Sequence, residues 1–327
     1  MMTRIYSKLL FMLLTCILLI VGCGKDKESP MSNRGLVDVA VKAVTEQGTS
    51  SEDVINTLRL IVFKSDANGN VSNVIVNEQH TSNLPFELRV SEGYVRMFLF
   101  ANEQTNWNLQ KITSFDELKD KTIISPEKAS LAPPFVMYAD VVKYISTAQH
   151  DFTVEMERTV AKIKLDLTCN FASLGANITL QSVTLKKLPV TSFVVPQINN
   201  GGVGYFNGQT IPLTASSGNV ICDNIGLSTK QGGLIFYMPE NIISVATNYS
   251  YLEIVGNINN IQSQKLTYVI VLGDGAGKLY GANPVSLSSL SLKDLSVTRN
   301  MYYKISATIE NVVSKGLLIE TSILRYK

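Results

Sequence analysis

The sequence is poor in the residues that form catalytic and metal sites. Its 327 residues include two histidines and four cysteines, and His80 and His150 lie far apart in the chain. No CxxC pair, HExxH motif or nucleophile elbow occurs, so the chain has no recognisable metal-ligand or catalytic spacing. We therefore expect no metal, no cofactor and no enzymatic activity.

An excess of charge of one sign is also missing once a predicted N-terminal segment is removed. Residues 1–22 contain Arg4 and Lys8, and their loss takes the 29 basic residues to 27, equal to the 27 acidic residues. Nucleic-acid binding calls for a basic surface, and a neutral chain does not steer acidic substrates. We expect no nucleic-acid partner.

The apolar run near the N-terminus is too short to cross a membrane as a helix. It contains 13 residues, Leu9 to Val21, whereas the hydrocarbon core requires about 20. With Arg4 and Lys8 before it, the run is typical of a secretory signal. The residues IVGC that end at Cys23 resemble the lipobox of bacterial lipoproteins. This resemblance implies cleavage between Gly22 and Cys23 and lipid attachment to the Cys23 thiol.

The alternative for this run is an ordinary signal peptide followed by a chance cysteine. Residues 23–35 are polar and aperiodic and predict a flexible tether, which the lipid would hold on a membrane. The segment 25–28, KDKE, resembles the charged signal that sends some lipoproteins to the outer face of the outer membrane. A merely solvated tether explains the same four residues.

Alternating apolar residues and frequent turn signals predict an all-β protein with few short helices. We expect two tandem antiparallel β-sandwich domains, residues 36–170 and 171–327, with the boundary near 168–173. The predicted strands are 37–44, 58–64, 71–76, 84–90, 94–101, 152–167, 178–186, 232–237, 251–256, 265–272, 301–309 and 317–326. Residues 112–121 predict a helix with a capping box between Ser114 and Glu117. Residues 133–138 and 193–212 are predicted loops.

One predicted strand has a break in its pattern. The apolar residues of 152–167 are even-numbered up to Met156 and odd-numbered from Ala161 onward. A side-chain period of two cannot change phase without an extra residue or a corner. We therefore expect the chain to pass from one sheet to another near residues 157–159.

Two cysteines remain after the signal peptide and the lipid site are set aside. Cys169 and Cys222 could form a disulfide in an exported protein, but spacing alone does not show that they meet. Two buried free thiols are the alternative.

Several segments, in chain order, resemble the fimbrillin and fimbrial-anchor family of type V pili. RTVAKI, residues 158–163, resembles the family strand R-x-V-A-K-I/V. YMPEN, residues 237–241, resembles its Y-x-P-E-N turn, and RNMYYKI, residues 299–305, resembles its strand R-N-x-x-Y-x-I. Residues 63–71 and 98–102 also fit. The resemblance implies that both sandwich domains are transthyretin-like and that other fimbrial subunits are the partners.

The resemblance further implies polymerisation by strand donation. In fibre subunits of the family, an arginine-specific protease removes the first strand, and a neighbour's strand replaces it at the open edge. Arg34 is the one accessible-looking site here, and cleavage there would free the lipid but leave the first strand. The sequence therefore predicts an anchor subunit at the outer membrane, with a polymerising stalk or tip subunit involved in adhesion as the alternative.

Three further features of the sequence each allow two interpretations. Trp107 and the thirteen tyrosines could form an aromatic platform for sugars, although core or sheet packing explains most of the tyrosines. A host or bacterial surface ligand is also open, with its identity unknown. Glu155 and Glu157 share a strand face, but a solvated face explains them better than acid–base catalysis, which needs carboxylates flanking a cleft. The last segment, 317–326, is either a closing strand or a tail that docks the first fibre subunit.

Overall fold

A computed structural model gives the fold of most of the chain. It describes residues 36–45, 51–81, 85–125, 131–169, 178–196, 204–213, 221–222, 230–258, 265–280, 283–310 and 317–325. The predicted signal peptide and tether, with Gly22, Cys23 and Arg34, lie outside these residues. Strands dominate the described chain, which confirms the predicted all-β class.

The N-terminal half forms two sheets around one apolar core. Its elements are β1 Leu36–Val44, β2 Leu58–Ser65, β3 Val71–His80, β4 Phe86–Ser91, β5 Gly93–Ala101, α1 Phe115–Lys121, β6 Ile123–Ile124, β7 Met137–Ile145, β8 Asp151–Glu155 and β9 Glu157–Arg158. One sheet has the order β4-β1-β8 and the other β3-β2-β5-β7-β9. Their inward side chains form a single buried cluster, as alternation along each strand requires.

The outer face of the five-stranded sheet carries a second apolar cluster. Phe98, Phe100 and Tyr138 of this face pack against Trp107 and Leu118 of the segment that contains α1. Ser114 caps α1 by accepting a hydrogen bond from the Glu117 N–H at 3.2 Å. The predicted capping box is only half formed, because the Glu117 carboxylate accepts from the Thr113 N–H at 2.9 Å instead.

Near residue 157, where the alternation of apolar residues changes phase, the chain runs through three sheets in turn. β8 belongs to the three-stranded sheet and β9 to the five-stranded sheet. Among the described strands, β10, Val160–Cys169, pairs with β17 and β20 of the C-terminal half. The chain therefore passes from one sheet to another where the sequence predicted it. The strand pairing changes halves between Arg158 and Val160, before β10, while the predicted domain division at residue 170 lies after it.

The C-terminal half repeats the two-sheet arrangement. After β10 come β11 Ile178–Lys186, β12 Leu188–Pro189, β13 Ser192–Phe193, β14 Tyr205–Phe206, β15 Thr210–Pro212, β16 Ile221–Cys222, β17 Lys230–Pro239, β18 Tyr251–Ile258, β19 Lys265–Val271, α2 Leu292–Leu295, β20 Met301–Ile309 and β21 Leu317–Arg325. The sheets have the orders β17-β10-β20-β21 and β15-β11-β18-β19, with β16 also on β11. One large core lies between them.

Two loop predictions were wrong in part. Residues 193–212 contain β14, β15 and the end of β13, and Met137 and Tyr138 already belong to β7. Strands of two or three residues are too short to show a period of two, so the Gly- and Asn-rich composition dominated the prediction. β13 pairs with β6, Ser192 opposite Ile124, and thereby links the two halves.

Candidate functional site

The first strand, β1, lies in the middle of its sheet. It runs antiparallel to β4 and parallel to β8. Four alternate side chains of β1 are buried in the N-terminal core, as its sequence pattern predicts: Val37, Val39, Val41 and Ala43. Loss of β1 would uncover this core and leave two unpaired strand edges. Such edges accept an incoming strand through backbone hydrogen bonds.

The chain between β1 and β2 offers no arginine to a protease. Residues 45–57 contain neither arginine nor lysine. The next arginine, Arg59, is buried in β2, and its guanidinium donates hydrogen bonds to Glu103 at 2.7 and 3.0 Å and to Asn77 at 2.8 Å. Arg89 is exposed but lies within β4, 3.7 Å from Asp38 of β1. Cleavage at either position would interrupt a paired strand.

A cluster of charged and polar residues joins the connection after β1 to the C-terminal half. We call it the junction cluster: Glu52, Asp53, Arg158, Lys162, Tyr237 and Asn300. Glu52 and Asp53 lie on the 3-10 turn Ser51–Asp53. Lys162 Nζ lies 2.8 and 2.9 Å from the two Glu52 carboxylate oxygens, and the Tyr237 hydroxyl also donates to Glu52.

Arg158 is the buried centre of the junction cluster. Its guanidinium forms an ion pair with Asp53 and donates to Asn300 Oδ1 at 3.2 Å. A buried arginine is tolerated only where its donors are paired, and these partners come from both halves of the molecule.

A second buried arginine lies beside the first. Arg299 forms a two-pronged ion pair with Glu240, with Nη2 and Nε at 2.6 and 3.0 Å from Oε2. It also donates to the carbonyls of Phe193 and Val194. Val194 is buried in the apolar cluster on the N-terminal half, so Arg299 holds a C-terminal segment against that half. Burial and the nearby Asp140 carboxylate raise the pKa of Tyr138, which lies in the same cluster, well above its usual value.

The contacts of Arg158 and Arg299 give a structural role to the three motifs that carried the family resemblance. Arg158 precedes β10, Glu240 follows β17, and Arg299 and Asn300 precede β20. These three strands are adjacent in one sheet, which brings the motifs together. No pattern in the sequence predicted that these three motifs lie side by side. Its one visible sign was the presence of charged residues within otherwise apolar strand ends.

The predicted cysteine pair is described only in part. Cys169 is fully buried at the end of β10 and is disulfide-bonded. Cys222 lies in β16, where its backbone is opposite Ile178 of β11. The bond between Cys169 and Cys222 stays a prediction.

The aromatic-platform prediction fails for Trp107. Only 3% of Trp107 is exposed, because it belongs to the segment that covers the five-stranded sheet and packs in the apolar cluster between the two. The exposed aromatic pair is instead Tyr94 and Tyr144, which are 40% and 41% exposed, with ring centroids 4.9 Å apart. Sequence reasoning missed this pair because the two tyrosines meet only through the pairing of β5 with β7.

The two carboxylates considered for acid–base chemistry contact a common cation. Arg325 Nη2 lies 3.8 Å from Glu155 and 3.1 Å from Glu157. All three side chains are well exposed, so the arrangement fits a solvated face. The described ranges contain no group of three metal-ligating side chains. Within the same ranges, no helix has the length and apolar character needed to span a bilayer.

Comparisons with known proteins agree with this fold. The family model described as major fimbrial subunit protein (FimA) matches residues 37–219. The structure is similar to the tip fimbrial protein Mfa3 of Porphyromonas gingivalis, with a TM-score of 0.59 and 17% identity over 89% of this chain and 100% of that one. It is also similar to a fimbrilin (FimA) from the same organism, with a TM-score of 0.56 and 14% identity over 89% and 97%. No curated protein matches the sequence.

The chain belongs to the FimA family of fimbrial subunit proteins, because the family model covers more than half of it. This confirms the resemblance found in the sequence. Membership makes the chain a fimbrial protein of the cell surface whose partners include other fimbrial components.

Proposed function

We propose that this protein is the anchor subunit of a fimbria: a structural, non-catalytic lipoprotein. It is held at the outer membrane by lipid on Cys23 and keeps its first strand in the assembled fibre. Acyl chains on Cys23 would hold the subunit at the bilayer, and the 23–35 tether would separate it from the surface. A polymerising stalk or tip subunit is the alternative within the same family.

The observation that carries the proposal is the protection of β1. A subunit accepts a donated strand only after its own first strand has left, because the two would occupy the same place between β4 and β8. The connection after β1 has no arginine, and the next one, Arg59, is buried among hydrogen-bonding partners. A subunit of this kind ends a fibre, because it cannot accept a further strand at this site.

The junction cluster supports the same conclusion. Glu52 and Asp53 lie between β1 and β2, on the turn Ser51–Asp53, and they form ion pairs with Lys162 and Arg158 respectively. A protease binds its substrate segment in an extended form, so these ion pairs would have to break before the segment could enter the active site. The ion pairs therefore favour retention of β1.

The last strand supplies a surface for the first fibre subunit. β21 pairs with β20 alone within the described residues, so its outer edge has no strand partner there, and Gly277 packs against Thr321 partway along the strand. We infer that this edge, or the tail beyond it, docks the neighbour. Deletion of residues 316–327 is expected to leave a folded lipoprotein that no longer holds fibres, whereas an unfolded product would assign β21 a structural role only.

The test is the N-terminus of the protein in isolated fimbriae. Mass spectrometry of the N-terminal peptide is expected to find a lipid-modified Cys23. A free amine beyond Val44 would contradict the anchor and favour a stalk subunit. A start at Gly35, after cleavage at Arg34, would contradict the lipid anchor even though β1 remained. Pull-down with surface glycans, compared with pull-down of fimbrial subunits, tests the separate glycan-binding reading.

A further inference from the structure

The outer edge of β19 exposes unpaired backbone groups. β19 is the terminal strand of its sheet and pairs only with β18 in the described chain. The Leu272 N–H donates to the Ser250 carbonyl at 2.9 Å, which fixes the hydrogen-bonding phase of the pair. Inner and outer groups alternate along an antiparallel strand, so the backbone groups of Lys265, Thr267 and Val269 point away from β18.

One end of this edge is already closed. The Val271 N–H, which is in the same phase, donates to the Tyr280 hydroxyl at 2.7 Å. Thr267 and Val269 have no comparable partner among the described residues. An open edge of this kind is completed by the backbone of another extended strand.

Most other sheet edges carry features that discourage such pairing. β3 has two register irregularities against β2, and β15 has three residues and ends in proline. β17 also ends in proline and contains a register shift against β10. The edge strands β4 and β8 carry exposed charges, which discourage pairing with an unrelated strand. These charged residues are Glu87, Arg89, Asp151 and Glu155. The edge of β21 is the one proposed above to dock the first fibre subunit.

β19 has none of these features beyond its first residue. Lys265 is its one charged residue, it contains neither glycine nor proline, and its register with β18 is continuous. Val269 is 41% exposed beside the open backbone, while Tyr268 and Ile270 are buried on the core face. A strand added at this edge would cover the Val269 side chain as well as pair the backbone.

We propose that β19 is a self-association edge that pairs antiparallel with β19 of a second copy of this chain. A two-fold axis beside Tyr268 places Thr267 opposite Val269 of the partner subunit, and both residues have outward-pointing backbone groups. The core faces of the two copies then lie on the same side of one continuous sheet. The two Lys265 side chains fall at opposite ends of the pair, so the edge presents no like-charge contact to its own copy.

The first test measures association of the full chain in mild detergent by light scattering across a range of concentrations. Val269→Lys places a charge on the open edge, and Ile75→Lys makes the same change on the bulged edge strand β3, where Ile75 is 44% exposed. Both positions are exposed, so both variants are expected to fold. Val269→Lys is expected to weaken dimerisation at least about tenfold, and Ile75→Lys is expected to dimerise like the wild type. A wild type that stays monomeric, or equal dimerisation of all three proteins, would overturn the proposal.

The second test identifies what lies at the edge in cells. Val269→Cys and Ile75→Cys variants are treated with a short bifunctional thiol reagent. The expected result is a cross-linked dimer of this chain for Val269→Cys alone. A cross-link from position 269 to a different protein would overturn self-association and show that another strand uses the edge. Equal dimer yields from both positions would also count against it, since they indicate random contact.

Discussion

Arg158 Nη1 lies 3.2 Å from Asn300 Oδ1 and so joins two residues that are 142 positions apart. Asn300 has a φ of 53°, in the left-handed region that asparagine tolerates better than most residues. This backbone turn precedes β20 and directs the amide oxygen toward Arg158. The same guanidinium pairs with Asp53, so one side chain connects the turn after β1 with the start of β20.

Replacement of Arg158 by methionine should destabilise the protein strongly. The variant would leave the buried Asp53 carboxylate without its guanidinium, and loss of one member of a buried ion pair costs about 3–5 kcal/mol. We expect this decrease in the free energy of unfolding, measured by denaturant titration of the full chain in detergent.

The matched control is the partly exposed pair of Lys164 and Asp166, whose side chains are 34% and 28% exposed and whose closest atoms are 3.1 Å apart. Lys164→Met is expected to cost no more than about 1 kcal/mol, because solvent screens this ion pair. A double variant, Arg158→Met with Asp53→Leu, should regain part of the lost stability. If Arg158→Met and Lys164→Met cost the same, the junction cluster does not hold the halves together.

Much of the fold could be predicted because strand periodicity is local. β1, β11 and β20 agree with their predicted ranges to within a residue. β1 and β20 alternate between a core and an outer face, whereas β11 changes phase at a register shift between Leu180 and Ser182. The break at residues 157–159 was visible as a change of phase. Short strands such as β13 and β14 were missed because two residues cannot display a period.

The proximity of the two buried arginines and their partners could not be predicted, because it depends on pairing between strands that are far apart in the sequence. Arg158, Glu240 and Arg299 are adjacent only because β10 lies between β17 and β20, running parallel to β20. Nothing local to any of the three motifs specifies that order. The family resemblance picked out these residues in the sequence. The order of the strands in the sheet shows why they lie close together.

A charge introduced on the buried face of β1 tests whether the assembled protein keeps this strand. Val41 is fully buried, so Val41→Asp should lower stability by ~4 kcal/mol or more. Lys42→Asp changes the exposed neighbour and should have little effect. If β1 is retained, Val41→Asp reduces the amount of folded protein in fimbriae. Unchanged stability of the assembled Val41→Asp protein would mean that β1 is absent from it.

The disulfide of Cys169 gives a third prediction. Cys222 is the partner that we propose, because the two other cysteines lie in the predicted signal peptide and at the lipid site. Cys222→Ser should free one thiol, counted by alkylation of the denatured protein and mass spectrometry, and should lower stability by about 2–5 kcal/mol. Cys169→Ser should have the same effect on both measurements. A Cys222→Ser variant with no newly alkylated cysteine would rule out this pairing.

Removal of the lipid site tests the anchor directly. Cys23→Ala abolishes the thiol that receives the lipid, and Cys16→Ala is the matched control, since Cys16 lies within the predicted signal peptide. Neither change touches the described sandwich domains, so the fold should be unchanged. Cys23→Ala is expected to release the subunit, with attached fimbriae, into the medium, because a tether without acyl chains has no affinity for the bilayer.

Fractionation of cells and medium, followed by electron microscopy of both, measures this release. Fimbriae that stay on Cys23→Ala cells as firmly as on Cys16→Ala cells would show that another component holds the fibre.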